Sequence, residues 1–247
     1  MSSPSILPKV WEVPQIFRDR LGSTVGRQRT MFHEGHLLLV AHEPPQVDEF
    51  ERRGEFFWRE PNGTWHSGNG RPGIDGLRTH IEEYASRLNE VSEQEEKVQT
   101  SDELFVLIEE LAPLQRATRN MFTILQEARE LVKEDRAIID FRDRAYELTR
   151  QSDLLSQQLQ AALDYRLAKQ AEEQARASHE MAIAAHRLNS LAAFFLPIAT
   201  ISSVFGASLK HQMEDYLPPW PFVGMVVVGL VAGVVLWLTL MRPSPKK

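Results

Sequence analysis

The chain has 247 residues, 25% of them charged and 43% hydrophobic, and its 28 basic against 34 acidic side chains leave a formal charge of -6. An acidic balance excludes a general nucleic-acid binder, which needs a basic surface to neutralise phosphates. The absence of cysteine excludes disulfides, thiolate metal sites and cysteine nucleophiles. The first fifteen residues carry three prolines and no apolar stretch of signal-peptide length, so no cleavage is expected there. Nine of the thirteen glycines then fall between Gly22 and Gly76, and the next is Gly206. Because glycine and proline punctuate turns, this distribution divides the chain into two regimes. In the first, residues 1–76, the runs Arg29 to Val40 and Glu55 to His66 read as strands of a small antiparallel sheet. Asn62-Gly63 predicts a tight two-residue hairpin turn, since that pair readily supplies positive φ angles. Residues 67–76 have the composition of a linker.

The second regime is helical. Apolar residues recur at three- and four-residue steps at Leu104, Leu107, Ile108 and Leu111, and again at Leu148, Leu155, Leu159, Ala162 and Leu163. Thr100 and Glu103 predict a capping box, Pro113 a kink or break, and a reversal is expected between Lys133 and Arg136. Beyond it one helix of about 60–70 residues, on the order of 100 Å long, is expected to run into a membrane. Such a helix cannot bury its apolar stripe alone and needs other helices or copies of itself, in the manner of a coiled coil.

Two charge-free runs close the chain, Leu188 to Leu209 and Leu217 to Met241, each long enough to span a hydrocarbon core. With only residues 210–216 between them they predict a transmembrane hairpin. Arg176 and Arg187 precede it and Arg242, Lys246 and Lys247 follow it, so both termini are expected in the cytoplasm of a multi-pass inner-membrane protein. The second span reads as a lipid-facing helix. The first carries a narrow stripe at Leu188, Ala192, Leu196, Ala199, Ser203 and Gly206, compatible with close helix packing or with a pore lining. The fold class expected is therefore a mainly α membrane protein: a small N-terminal antiparallel β (α+β) cytoplasmic domain (1–76), a helical bundle and stalk (77–187), two transmembrane helices (188–209 and 217–241) around an outer loop (210–216), and a basic tail (242–247).

The run Leu196-Pro197-Ile198-Ala199-Thr200-Ile201-Ser202-Ser203-Val204-Phe205-Gly206, ending a long helix and followed by an acidic loop, a second span and a basic tail, resembles the first membrane helix of the CorA family of divalent-cation channels. Phe141-Arg142-Asp143 is similar to the start of that family's stalk helix. The resemblance covers roughly residues 100–245. It implies a homopentamer in lipid that passes magnesium or a similar divalent cation as transported ion, with no permanently bound cofactor. It further implies a filter at Gly206-Ala207-Ser208, where the family has Gly-Met-Asn, and a pore line and gate at Leu188, Ala192, Leu196, Ala199 and Ser203. Glu214 and Asp215 of the outer loop would attract cations. Serine is shorter than asparagine, so the family's ion selectivity does not transfer with the motif.

Other features have plainer readings. Ten acids between Glu82 and Glu110 read as a solvated helix face, with attraction of cations as the alternative. His33-Glu34-Gly35-His36 lacks the spacing and helical setting of a zinc-protease motif. His179 and His186 share one face of the stalk and read as exposed residues, a proton-sensitive ring being the alternative. No metal-ligand set, nucleophile triad, phosphate loop or dinucleotide fingerprint is evident, so an enzyme is not expected. Two other functions stay open beside the channel. One is a membrane effector or sensor gated by a ligand or partner bound to the cytoplasmic domain, and the other is a non-conducting anchor.

Overall fold

The computed structural model describes residues 6–46, 53–206 and 220–240. The chain divides into two units, residues 1–168 and 169–247.

The first unit opens with a short helix, α1 (Gln15–Asp19), followed by four strands, β1 (Arg29–His33), β2 (His36–His42), β3 (Gly54–Arg59) and β4 (Trp65–Ser67). They form an antiparallel meander in the order β1-β2-β3-β4. The tight two-residue turn is not at Asn62-Gly63, where the sequence suggested it, but between β1 and β2. There Glu34 and Gly35 take φ of 46° and 81° and His33 pairs with His36. Both central residues of this turn need positive φ, which matches the twist of the flanking strands. At Asn62-Gly63 only the glycine has positive φ, and the Glu60 N–H donates to the Thr64 carbonyl at 2.9 Å, closing a longer loop.

Residues 37–41 of β2 are all buried, an unbroken run that follows from covering both faces of the sheet. Leu37, Leu39, Ala41 and Phe57 face the helices, in one core with Leu77, Ile81 and Tyr84. Leu38, Val40, Phe56 and Trp58 face the N-terminal segment, where Leu7, Trp11, Val13 and Phe17 close a second core.

Three helices follow: α2 (Gly73–Glu95), α3 (Ser101–Leu131) and α4 (Arg136–Gly206). The division expected at residue 76 is not a division of packing. Ser67 belongs to β4, residues 73–76 form the first turn of α2, and the main core runs unbroken from the sheet through α2 and α3 to Leu163 on α4. Gly76 is needed because a Cβ there would collide with the Ser67 side chain. Apolar spacing alone places the cores of these helices correctly: Leu104, Leu107, Leu111, Leu148, Leu155, Leu159 and Leu163 are buried. Thr118 and Ser152 meet in the same layer at 3.2 Å, a satisfied polar pair between α3 and α4. Pro113 does not end α3, whose interior accommodates it.

The reversal between α3 and α4 lies at residues 132–135, where expected. Asp135 fixes it with both carboxylate oxygens. Oδ1 accepts from the Ala137 N–H at 3.0 Å, and Oδ2 accepts from Arg59 Nε at 2.7 Å, tying the turn to β3.

The N-terminus of α3 carries the expected capping box. Thr100 Oγ1 accepts from the Glu103 N–H at 3.2 Å, and the Glu103 carboxylate accepts from the Gln99 and Thr100 N–H groups at 2.8 and 3.0 Å. These bonds, that from Gln99 first and that from Thr100 next, hold the Glu103 carboxyl below its ordinary pKa. A depressed folded-state pKa gives stability that is fully present above the unfolded value and is lost as pH falls through the folded one. We therefore expect the protection of amides 101–104, taken relative to their intrinsic exchange rate at each pH, to fall below about pH 4, the ordinary carboxylate range. Glu103→Ala, which removes the acceptor, should lose that protection at neutral pH as well, and equal protection in both proteins would contradict the assignment.

In the second unit, α4 continues and α5 (Trp220–Leu240) follows. Residues 167–189 of α4 are exposed throughout their length in the single chain, including Met181, 71% exposed, and Leu188, 67% exposed.

Candidate pore-lining face and the apolar helix pair

Within the second unit, α5 lies against the apolar end of α4, and glycines set the closeness of that contact. Along the stretch Val223–Leu238 the buried positions are Gly229 and Gly233, with Met225, Val226 and Ala232 half-buried beside them. These positions fall on one helical face at three- and four-residue steps. A Cβ at Gly233 would lie 2.7 Å from the Phe194 carbonyl oxygen, and one at Gly229 would lie 3.3 Å from Ile198 Cα. Backbones meet that closely only where the side chain is a hydrogen, which is the mechanism of the small-xxx-small contact between apolar helices. The second apolar segment is thus not a uniformly lipid-facing helix. The Gly-x-x-x-Gly spacing at 229 and 233 is a signal the sequence contains and the sequence reading passed over.

The matching surface on α4 is made by Ser190, Ala193, Phe194, Pro197, Ile198 and Ile201, all half-buried. The stripe singled out in the sequence lies elsewhere. Leu188 and Leu196 are 67% and 65% exposed, and Ala192, Ala199 and Ser203 are exposed too. At about 100° per residue the two sets point roughly 180° apart around the helix. Intrachain packing against α5 therefore does not account for the small-residue stripe. Pro197 sits inside α4 without ending it, and one turn on the Thr200 hydroxyl donates to the Leu196 carbonyl at 2.8 Å.

Gly206 is the last residue of α4, while Ala207, Ser208, Glu214 and Asp215, with the loop 210–216 and the tail 242–247, lie outside the described residues. Among the described residues one helix is long and apolar enough to cross a membrane, α4, and the apolar stretch of α5 over Val223–Leu238 is shorter than the span expected at 217–241. His179 and His186 are exposed on α4.

In the first unit the acidic run from Glu82 to Glu110 lies mainly on exposed helix faces. Arg87 pairs there with Glu90 and, at 2.7 Å, with Glu110. His36 is stacked on Trp58, with ring centroids 5.7 Å apart, and its Nδ1 accepts from the indole N–H at 3.3 Å. The histidine of the His33–His36 motif is thereby part of an aromatic cluster. The sequence reading missed a different group, Glu55, His80 and Glu83, whose donors lie together. His80 and Glu83 are three apart on α2, a signal in the sequence, but Glu55 reaches them only because β3 packs beside α2.

A long helix whose apolar end packs closely with a second apolar helix, in a chain that also folds a compact polar unit, fits a membrane protein. The sequence matches the family described as CorA-like Mg2+ transporter protein over residues 68–242, and the chain belongs to that family. No curated protein matches the sequence. Among the solved structures similar to it are two proteins. The full-length CmaX protein is 17% identical with a TM-score of 0.51, the match covering 95% of this chain and 82% of that one. The complete CorA magnesium transporter from Methanocaldococcus jannaschii is 14% identical with a TM-score of 0.49, over 89% of this chain and 82% of that one. The likeness to CmaX is one of fold, and at 95% coverage it extends beyond residues 68–242 into the N-terminal sheet.

Proposed function

We propose that this chain assembles as a homopentamer in the cell membrane and passes divalent cations, magnesium first among them, passively down their electrochemical gradient. The single observation that carries the reading is the exposed stripe of α4, turned away from α5 in a chain that matches the family over residues 68–242. An exposed row of Leu188, Ala192, Leu196, Ala199 and Ser203 on a membrane helix would be covered by copies of itself around a common axis. Rings of Leu188 and Leu196 would close such a pore by dewetting, because water leaves a narrow apolar constriction.

In this reading residues 188–209 and 217–241 are the two spans of a hairpin, with α5 outside the ring. Residues 1–76 and 77–187 form the cytoplasmic part, with both termini on that side by the distribution of Lys and Arg. Gly206, Ala207 and Ser208 form the filter, and Glu214 and Asp215 raise the local cation concentration at the outer mouth. Magnesium sheds its water reluctantly, so a ring of serine hydroxyls would meet the hydrated ion. The protein acts as a channel and not as an enzyme.

The test is ion flux into liposomes holding the purified protein, measured for magnesium, cobalt and sodium with the native chain and with Ser208→Asn. Divalent flux exceeding sodium flux is expected in the native protein, with a changed order of ions in the variant. Absence of flux from both, in a preparation whose oligomer is verified, would overturn the channel and turn attention to a ligand-gated effector.

A further inference from the structure

The first unit holds a polar cleft of about 610 Å³, lined among others by Glu43, Glu55, Asn69, Glu83, Arg87 and Glu90. Beside two of its lining residues, Glu55 and Glu83, lies His80, wholly buried at 0% exposure, with the rings of Phe57 and Tyr84 each 5.3 Å from its own. Neither ring nitrogen of His80 has an aligned hydrogen-bond partner. Nδ1 approaches Glu55 Oε2 to 2.7 Å, close enough for an ion pair but without the alignment of a hydrogen bond. A buried imidazole whose Nε2 has no partner and whose Nδ1 is held only by a misaligned contact is costly, and such groups call for a role. Glu83, one helical turn beyond His80 and exposed to the cleft, completes a group whose donor atoms all lie within 4.8 Å of one another.

We propose that Glu55, His80 and Glu83 form a resident site for a divalent transition metal of the zinc class, with its remaining coordination positions open to water in the cleft. One imidazole nitrogen and two carboxylates are a zinc donor set, whereas magnesium prefers oxygen ligands alone. Zinc bonds of about 2.0–2.2 Å demand donors somewhat closer than 4.8 Å, and the exposed Glu83 side chain has the freedom to close that distance. The cleft also favours a cation. Against the four carboxylates of Glu43, Glu55, Glu83 and Glu90 it presents the guanidiniums of Arg71 and Arg87. Arg71 is engaged with Thr79 Oγ1 at 3.0 Å, and Arg87 is engaged with Glu90 and Glu110. Metal at this site would bridge β3 to α2 within one chain, and the proposal does not depend on the transport reading.

The experiment uses the full-length chain in detergent, stripped with a chelator and titrated with zinc chloride against a chromophoric competitor. Cobalt(II) serves as a spectroscopic probe of an imidazole-containing site. The expected result is one zinc per chain at micromolar affinity or tighter, with visible cobalt bands and a rise in the unfolding midpoint on loading. Glu83→Gln should weaken zinc by at least about tenfold, as loss of one ligand does, while leaving the metal-free unfolding midpoint in place because Glu83 is exposed. His80→Gln should abolish the cobalt bands, and Glu83→Gln decides the matter if that buried substitution fails to fold. No stoichiometric zinc, or zinc affinity unchanged by Glu83→Gln, overturns the site and leaves a buried His80–Glu55 ion pair. Since no membrane or gradient is involved, either failure is distinct from a failure of transport.

Discussion

Replacing Ile198 and Gly229 together by cysteine is expected to give a disulfide within one chain under mild oxidation. The chain has no other cysteine, so the background is clean. A Cβ built at Gly229 lies 3.6 Å from the Cβ of Ile198. That is inside the roughly 3.5–4.5 Å that disulfides require. Loss of the Ile198 Cγ1, 3.1 Å away, gives the new Cβ room, so the helices need yield only a few tenths of an ångström at the Ile198 Cα, 3.3 Å away. The product should appear as a shifted monomer on a denaturing gel, whereas a dimer band would mean that the contact forms between copies. Adding Gly233→Leu should then reduce the crosslinked fraction by about tenfold, equivalent to roughly 1.4 kcal/mol of lost association. Its side chain would have to occupy the space now filled by the Phe194 carbonyl, 2.7 Å from the Cβ position, and backbone cannot move aside as a side chain can. Gly224→Leu is the control, since nothing lies within 4 Å of its Cβ position. Equal crosslinking in all three proteins would show that glycine does not set the spacing of α4 and α5.

Phe57→Ala is expected to cost about 3–5 kcal/mol, the usual loss for removing a fully buried aromatic side chain. Phe57 is 0% exposed and belongs to the layer where β2 and β3 meet α2, with Leu37, Leu39, Ile81 and Tyr84 in the same core. Against a typical total of about 5–15 kcal/mol, such a loss leaves the first unit marginal. Denaturant unfolding followed by tryptophan fluorescence reads it directly, because Trp11, Trp58 and Trp65 are buried in that unit. Phe32→Ala, on the same sheet but 40% exposed, should change stability by no more than about 0.5 kcal/mol. Similar effects of the two substitutions would mean that the core does not pass through Phe57.

Where the sequence reading succeeded, the controlling chemistry is local. Thr100 and Glu103 satisfy each other's backbone within one turn. The apolar steps from Leu104 to Leu163 follow the period of a single helix, and charge-free length marks α4 as long and apolar enough to cross a membrane. The glycine distribution separates sheet from helix because glycine acts on its own φ and ψ. Misplacing the tight turn at Asn62-Gly63 has an equally physical cause. Pairing of Arg59 with Trp65 leaves five residues to connect, and register is set by which faces the strands bury, not by the best turn dipeptide between them.

For the candidate site, the sequence by itself determined a stripe on the first apolar helix and the resemblance that gives it meaning, since a helical face follows from spacing alone. It did not determine which face of α4 meets α5. That depended on where two glycines on a distant helix allow backbones to touch. Nor did it join Glu55 to His80 and Glu83, or show that Leu37 to Ala41 is continuous because a proline-containing N-terminal segment covers the sheet's second face. Propensity and periodicity act over a few residues, whereas burial depends on what packs over a face, and only the tertiary structure decided that.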